Sequence, residues 1–172
     1  MKSLHVSLLE KILRFMAKTV LWKYKPQVIG ITGSVGKSST KEAIALVLSA
    51  QYQVRKNEGN YNNEIGLPLT ILGCKTGGRS LWAWFKIIAY WIRLLLLPYR
   101  YPEILVLEMG IDQKGDMDYL MTIVPVSIGV ATHVSGSHLA QFGSIANVAR
   151  EKRKLIKSLP ATGFALLNAD NT

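Results

Sequence analysis

The chain has 172 residues and 49% of them are hydrophobic, which is enough for one compact domain with a buried core. Its 21 Lys and Arg residues against 11 Asp and Glu residues give a net charge of +10, so we expect an anionic partner such as a nucleotide, a nucleic acid or an acidic membrane surface. The single cysteine, Cys74, excludes an internal disulfide framework and a four-cysteine zinc site, and it fits a reducing, cytoplasmic setting. The N-terminus lacks the apolar run and cleavage site of a secretory signal.

The N-terminal segment is basic and amphipathic. Apolar residues recur at helical spacing between residues 3 and 21, with basic side chains on the opposite side, so we predict a helix that Pro26 ends. We therefore divide the chain into a basic amphipathic helix at residues 1–25 and a larger domain at residues 26–172.

A glycine loop follows the first predicted strand. The β-branched run at residues 27–31 leads into G-S-V-G-K-S at residues 33–38 and then into a predicted helix at residues 39–50. In this order of elements the glycines turn backbone N–H groups onto phosphate oxygens, Lys37 reaches the outer phosphates and Ser38 offers its hydroxyl to magnesium. The general pattern has a glycine where this chain has Ile31. The alternative is an ordinary turn with a surface lysine, but the strand–loop–helix order favours nucleotide binding.

The most apolar segment lies in the middle of the chain. Residues 52–55 are predicted to form a strand and residues 57–64 a polar loop, and residues 81–97 then carry only Lys86 and Arg93 as charged side chains. This run is shorter than the ~20 apolar residues that a membrane-spanning helix needs. We expect a buried or interfacial helix, within a helical insertion at residues 79–99.

The rest of the chain alternates between strands and helices. Strands are predicted at residues 104–107, 127–131 and 164–167, and helices near residues 116–123 and 145–158. Continuous apolar strands of this kind indicate a parallel sheet that is covered on both faces. The predicted fold is therefore α/β of the P-loop NTPase type, a mostly parallel sheet flanked by helices.

Five blocks of sequence resemble, in order, those of the Mur ligase family and in particular of its MurF type. They are I-G-I-T-G-S-V-G-K-S-S-T-K-E at residues 29–42, G-N-Y-N-N-E-I-G-L-P-L-T at 59–70, L-E-M-G at 107–110, H-L-A-Q-F-G-S at 138–144, and V-A-R-E-K-R-K-L-I at 148–156 followed by L-L-N-A-D at 166–170. The chain departs from the family pattern at Ala140, where an acidic residue is common, and at His133, where Asn is usual. The resemblance covers the chain from about residue 28 onward and implies the family's central ATP-binding domain.

The resemblance also implies roles for individual residues. The residues expected to hold the nucleotide are Thr32, Gly33, Ser34, Val35, Gly36, Lys37, Ser38 and Ser39. Ser38 and Glu108 would bind one magnesium ion, and His138 with a carbamylated Lys152 would help to bind a second; Lys37, Glu108, His138 and Lys152 form the expected catalytic set. Asn60, Asn62 and Asn63 are expected to position the substrate. Taken without the family, Glu108 could cap a strand end, His138 could be a loop histidine, Lys152 would be a surface lysine and the asparagines would stabilise turns.

By resemblance, the expected activity is ATP-dependent amide ligation in peptidoglycan precursor synthesis. ATP and Mg²⁺ are the expected cofactors, and the expected partners are a UDP-linked muramyl peptide and an amino acid or dipeptide such as D-alanyl-D-alanine. Open alternatives are a ligase similar to folylpolyglutamate synthase, a ligase of lipid-linked precursors, and a non-catalytic ATP-binding or membrane-associated module. Nucleic-acid binding is not expected, because no recognised module is present.

Two further expectations concern what surrounds the ATP-binding domain. Complete Mur ligases have an N-terminal and a C-terminal domain that this sequence does not show, so we expect a partial sequence with an unfinished central sheet. The helix before Pro26 and the helix at residues 81–97 are hypothesised to touch the inner face of an anionic membrane peripherally. The alternative is that they pack against each other or against a further part of the protein.

Overall fold

The structure is a computed structural model that describes residues 4–137 and 139–170. The elements in chain order are α1 (Leu4–Tyr24), β1 (Gln27–Thr32), α2 (Lys37–Leu48), β2 (Val54–Lys56), α3 (Gly66–Leu72), α4 (Leu81–Leu96), β3 (Ile104–Glu108), α5 (Asp116–Met121), β4 (Ile128–Ala131), α6 (Leu139–Phe142), α7 (Ile145–Lys157) and β5 (Phe164–Leu167). The predicted α/β fold is confirmed.

All five strands pair in parallel, in the order β2-β3-β1-β4-β5. Because parallel strands all end at the same edge of a sheet, the segments that follow β1, β3 and β4 meet there. The register makes this specific, since Ile31 pairs with Glu108 on one side of β1 and Thr32 pairs with Ala131 on the other. The glycine loop and the L-E-M-G block therefore lie side by side at the carboxyl edge, where open α/β sheets bind ligands.

Helices cover the sheet on both faces. On one face, α2 packs over a small cluster built on β1, β3 and β4: Ile29, Ile31, Ala45, Ile104, Val106 and Val130. The larger cluster on the other face holds buried residues of α1, α3, α5 and α7 together with alternate residues of the strands, such as Val28 and Leu105. This alternation is the period-two pattern of strands that are buried on both faces.

The helix α4 forms an outer layer on α1. Trp91 Nε1 donates a hydrogen bond to Thr19 Oγ1 at 2.9 Å, and Tyr24 Oη donates to the carbonyl oxygen of Leu94 at 2.6 Å. Only Ile87 and Leu94 of α4 are buried. The predicted helix is confirmed, but it is not a buried one. In the part of the chain that the structure describes, no helix combines the length and the apolar character needed to cross a bilayer.

The structure corrects one expectation about the sheet and adds two helices. The edge strand β5 is exposed along its whole length. The prediction that helices cover the sheet on both faces was therefore wrong for this strand. The structure also contains α3 and α6, which were not predicted. Every residue of α3 is buried, so it lacks the polar face that marks an amphipathic helix, and α6 has only four residues. Burial of α3 matters for function because it anchors the loop at residues 57–65 beside the site.

Candidate nucleotide and metal site

The glycine loop joins the end of β1 to the start of α2. Gly36 has φ 85°, and Gly33 has φ 151° with so little room that a Cβ atom would lie 1.9 Å from Thr132 Oγ1. A side chain at either position would therefore strain the loop. The amides of residues 36–39 stand at the N-terminus of α2, where N–H groups have no acceptor within the helix, and the helix dipole adds positive potential. This end of α2 is suited to bind an anion.

The loop that follows β4 supports the glycine loop. The amides of Ser34 and Val35 donate to the carbonyl oxygen of His133, at 2.6 and 3.3 Å. Thr132 Oγ1 donates to the Val35 carbonyl at 2.7 Å, and Ser34 Oγ bonds with the backbone of Ser135. The amides of Ser34 and Val35 are thus engaged within the protein, so a phosphate would meet the amides of residues 36–39. His133 makes this contact through its backbone, which any residue at that position could supply.

Ser38 and Glu108, which the family resemblance pairs as ligands of one magnesium ion, lie in contact at the carboxyl edge of the sheet. Ser38 Oγ donates to Glu108 Oε2 at 2.7 Å, and Asn62 Nδ2 donates to Glu108 Oε1 at 3.0 Å. Glu108 is 4% exposed, which is rare for a carboxylate without a charged partner or a ligand. The carboxylate points at the first turn of α2. This contact favours a role in the site over the alternative that Glu108 only caps the end of a strand.

Asn57, which the sequence reading did not single out, fixes the backbone of Glu108. Its side chain donates to the Glu108 carbonyl at 2.9 Å and accepts from the Glu108 amide at 2.8 Å. Lys41 Nζ of α2 donates to the Asn57 carbonyl at 2.7 Å, and both residues are buried. The side-chain amide of Asn57 thus both donates to and accepts from backbone groups. This role could not be predicted from the sequence, because an Asn in a polar segment first indicates a turn.

Lys152 points into the site from α7. It is 4% exposed, so its interpretation as a surface lysine was wrong, and its Nζ donates to the Gly33 carbonyl at 2.7 Å. Burial, together with the positive charge of Lys37, lowers the pKa of Lys152 to about 8, and Asp112 opposes this shift. Lys37 Nζ lies over the loop, 3.2 Å from the Ser34 carbonyl. Two lysines therefore converge on the glycine loop, where an anion would relieve their repulsion.

The remaining predicted residues have different surroundings. Asn63 Oδ1 accepts from the amides of Ile65 and Gly66 at the start of α3, which is a turn-stabilising role. Asn60 is exposed and lines a cavity of about 570 Å³ together with the basic side chains Arg55, Lys56 and Lys75. His138 lies outside the described residues, so its predicted place near a second magnesium ion stays a prediction.

The oxygen atoms at this edge fit a magnesium ion. Across residues 4–137 and 139–170, no three His, Cys, Asp or Glu side chains come together as a metal-binding group. Mg²⁺ does not need such a group, because it usually keeps several water molecules and binds one or two carboxylates plus substrate phosphates. The Ser38 hydroxyl beside the Glu108 carboxylate supplies hard oxygen donors next to the anion site of α2.

A groove of about 450 Å³ extends from the glycine loop across the ends of β4 and β5. The residues that line it include Val35, Gly36, Thr40, His133 and Asn168. The groove is continuous with the α2 N-terminus through Gly36 and Thr40. It therefore offers space for the rest of a nucleotide whose phosphates lie on α2.

Comparison with known proteins identifies the family. Residues 31–83 and 90–172 match the model of the Mur ligase middle domain. The UDP-N-acetylmuramoyl-tripeptide--D-alanyl-D-alanine ligase of Bacillus subtilis (strain 168) is 35% identical over 158 residues, which cover 92% of this chain and 29% of that protein. The crystal structure of MurF ligase from Thermotoga maritima in complex with ADP has a TM-score of 0.74 at 31% identity, covering 94% of this chain and 32% of that chain.

A mutant of L. casei FPGS has a TM-score of 0.53 at 19% identity, covering 91% of this chain and 45% of that chain, and shares the fold alone. This chain spans less than a third of the length of the B. subtilis relative. Because the family model matches well over half of its residues, the chain belongs to the Mur ligase family, as the middle domain of that family.

Proposed function

We propose that this chain is the ATP-binding part of an ATP-dependent amide ligase of the MurF type. The observation that carries the proposal is the contact of Ser38 with Glu108 at 2.7 Å, directly at the N-terminus of α2. An anion site, a hydroxyl and a buried carboxylate in one place are the parts that phosphoryl transfer requires. In the proposed reaction ATP phosphorylates a substrate carboxylate, and an amine then displaces phosphate from the acyl phosphate to form the amide.

The residues of this chain would act mainly by positioning and by electrostatics. The amides of residues 36–39 and the ammonium group of Lys37 would hold the phosphates and offset the charge that builds on the transferred phosphoryl oxygens. Ser38 and Glu108 would hold Mg²⁺, which when bound neutralises phosphate charge. The contacts of the Asn57 side chain fix the backbone of Glu108. The carboxylate is therefore already in position before Mg²⁺ binds, so its backbone would not have to move.

We propose that Lys152 is carbamylated in the working protein. Carbamylation requires the neutral amine, whose nitrogen attacks CO₂, loses its proton and becomes an anionic carbamate. With a pKa of about 8, roughly a quarter of Lys152 is neutral at pH 7.5, against about one in a thousand for an ordinary lysine. The carbamate would then offer oxygen ligands for a second Mg²⁺, with His138 as its proposed partner. Incubation with ¹³C-bicarbonate should give a carbamate NMR signal that Lys152→Gln lacks.

The proposed substrates come from the relatives. The B. subtilis protein is named for a UDP-N-acetylmuramoyl tripeptide and D-alanyl-D-alanine, and the T. maritima MurF structure contains ADP. We propose the same substrate classes for the protein to which this domain belongs, with Asn60 and Asn62 close to the transferred group and Asn63 shaping their loop. The FPGS alternative is less favoured, because that structure shares the fold at a lower TM-score and identity.

We also propose a domain division and a location. Residues 26–172 would form the catalytic domain with a helical insertion at residues 79–99, and residues 1–25 would be the basic amphipathic helix that precedes it and packs on it through α1. The protein would act inside the cell, where ATP is available, and would touch the inner face of the membrane through α1 and α4.

Calorimetry with ATP and Mg²⁺ tests the nucleotide site. Lys37→Ala removes a phosphate-binding ammonium group from the loop, so we expect the affinity for ATP to fall by about tenfold or more. Lys114→Ala, which removes an exposed lysine outside the glycine loop, is the matched control and should bind like the unmodified chain. If both variants bind ATP equally well, or if the unmodified chain binds none, the nucleotide proposal is wrong.

A further inference from the structure

Two helices that lie wholly or partly outside the family match pack together on one side of the molecule. The family match begins at residue 31 and omits residues 84–89, so α1 and the middle of α4 fall outside it. These helices pack on each other through the Trp91–Thr19 hydrogen bond and through Lys23 Nζ, which donates to the carbonyl oxygens of Leu94 and Leu95. They form a layer that contributes no residue to the candidate nucleotide and metal site described above.

The outward side of α4 is apolar. Its large exposed side chains are Leu81, Trp82, Phe85, Ile88, Ile92 and Leu96, with Leu81 87% and Leu96 75% exposed. Their spacing places them along one side of the helix, opposite Ile87 and Leu94, which are buried. A helix in water normally shows the reverse pattern, and contiguous apolar surface of this kind marks an interaction site.

The outward side of α1 continues this surface. Leu8, Ile12, Phe15 and Trp22 recur at helical spacing and are each at least 44% exposed. Phe15 meets Trp91 of α4 edge-on, with ring centroids 5.9 Å apart. The two stripes are therefore contiguous, and we call these exposed residues of α1 and α4 the α1–α4 face.

The net positive charge of the chain comes from the two segments of sequence that contain α1 and α4. Residues 1–25 contain six Lys and Arg and one acidic residue, and residues 65–102 contain five Lys and Arg and no acidic residue. The rest of the chain contains ten of each sign, so its net charge is zero. The whole +10 thus belongs to the two segments that carry α1 and α4, whereas the phosphate site lies in the electrically balanced remainder.

Cations and aromatic rings alternate along α1. Lys11, Arg14 and Lys18 line a groove of about 550 Å³ together with Phe15 and Trp22. On α4, Lys86 Nζ lies 5.6 Å from the centroid of the Trp82 ring. Lysine and arginine at such positions can extend to phosphate groups while aromatic rings enter the interface between headgroups and acyl chains.

We propose that the α1–α4 face binds an anionic lipid bilayer, with both helices lying in the plane of the membrane surface. Charge complementarity selects this partner, because a basic and apolar surface matches anionic headgroups above acyl chains. A second copy of the chain would bring two positively charged faces together, which like charges oppose. The bound protein would keep the phosphate site free, since that site lies at the carboxyl edge of the sheet.

Vesicle co-sedimentation tests the proposal, with about one-third phosphatidylglycerol in phosphatidylcholine compared with phosphatidylcholine alone. We expect the chain to bind the anionic vesicles about tenfold more tightly, and high salt to weaken this binding. Trp82→Ser combined with Phe85→Ser should lower the affinity by about tenfold or more. The matched control is Leu46→Ser with Val47→Ser, which removes apolar side chains that are 77% and 71% exposed on α2, and it should bind like the unmodified chain.

A second variant pair tests the charge. Lys11→Gln with Lys18→Gln should weaken binding to anionic vesicles, whereas Arg153→Gln with Lys157→Gln on α7 should not. All four tryptophans of the chain, Trp22, Trp82, Trp84 and Trp91, lie on α1 or α4, so quenching of their fluorescence by brominated lipids reports on these two helices.

Three results would overturn the membrane proposal. They are equal binding of anionic and neutral vesicles, unchanged binding by the Trp82 and Phe85 variant, and self-association through this face without vesicle binding. None of these readouts depends on ATP, so they leave the nucleotide proposal untouched.

Discussion

At the scale of single residues, the site depends on groups that are buried where water would normally surround them. Lys152 and Glu108 are each 4% exposed, and each finds a hydrogen-bond partner in the glycine loop or the first turn of α2. Burial of an ammonium group disfavours its charged form, which is why the pKa of Lys152 lies at about 8. This shift links the stability of the protein to pH.

Lys152 should make the folded protein more stable as pH rises through the range between about 8 and 10.5. In this window the unfolded chain keeps the Lys152 proton and the folded protein has lost it, so the free energy of unfolding increases with pH. Below pH 8 both states are protonated and the burial penalty is fully present. Relative to Lys152→Met, the unmodified protein should gain up to roughly 3 kcal/mol across the window.

Urea unfolding at several pH values in CO₂-free buffer measures this effect. The absence of CO₂ keeps Lys152 unmodified, and the methionine variant retains an unbranched chain without a titrating group. Parallel curves of unfolding free energy against pH for the two proteins would show that Lys152 is not buried as described.

At the scale of elements, Asn57 joins three parts of the site. It holds the Glu108 backbone of β3, its carbonyl accepts from Lys41 of α2, and its Nδ2 donates to the Tyr61 carbonyl in the polar loop. Asn57→Ala leaves the Glu108 amide and carbonyl without partners in a buried place, so the free energy of unfolding should fall by about 2–4 kcal/mol. Asn63→Ala changes a more exposed residue and should cost less. Denaturant unfolding of both variants checks this order, and equal losses would contradict it.

The elements also show which features of the fold and the site can be predicted from the sequence. The strand–loop–helix order at residues 27–48 and the Glu108 block were predictable, because β-branched runs, glycine spacing and a carboxylate after an apolar strand are local signals. Burial of Lys152 and the contacts of Asn57 depend on α7 and β3 packing beside the glycine loop, so they appear only in three dimensions. The exposed state of β5 likewise depends on its place at the edge of the sheet and not on its apolar composition.

At the scale of the whole molecule, the chain separates two kinds of surface. The carboxyl edge of the sheet gathers the glycine loop, Glu108 and Lys152. The helices α1 and α4 carry the apolar surface and belong to the two segments, residues 1–25 and 65–102, that contain the excess positive charge. Overall charge alone suggested an anionic partner but could not say where it binds. We propose nucleotide phosphates for the first surface and lipid headgroups for the second.

The most direct test of the central claim is the effect of Mg²⁺ on ATP binding, measured by calorimetry in the unmodified chain and in Glu108→Gln. Glutamine keeps the size of the side chain and one acceptor oxygen but removes the negative charge beside Ser38. If this edge of the sheet is a Mg·ATP site, Mg²⁺ should tighten ATP binding to the unmodified chain and should have little effect on the variant. Equal tightening by Mg²⁺ in both proteins, or none in the unmodified chain, would contradict the account.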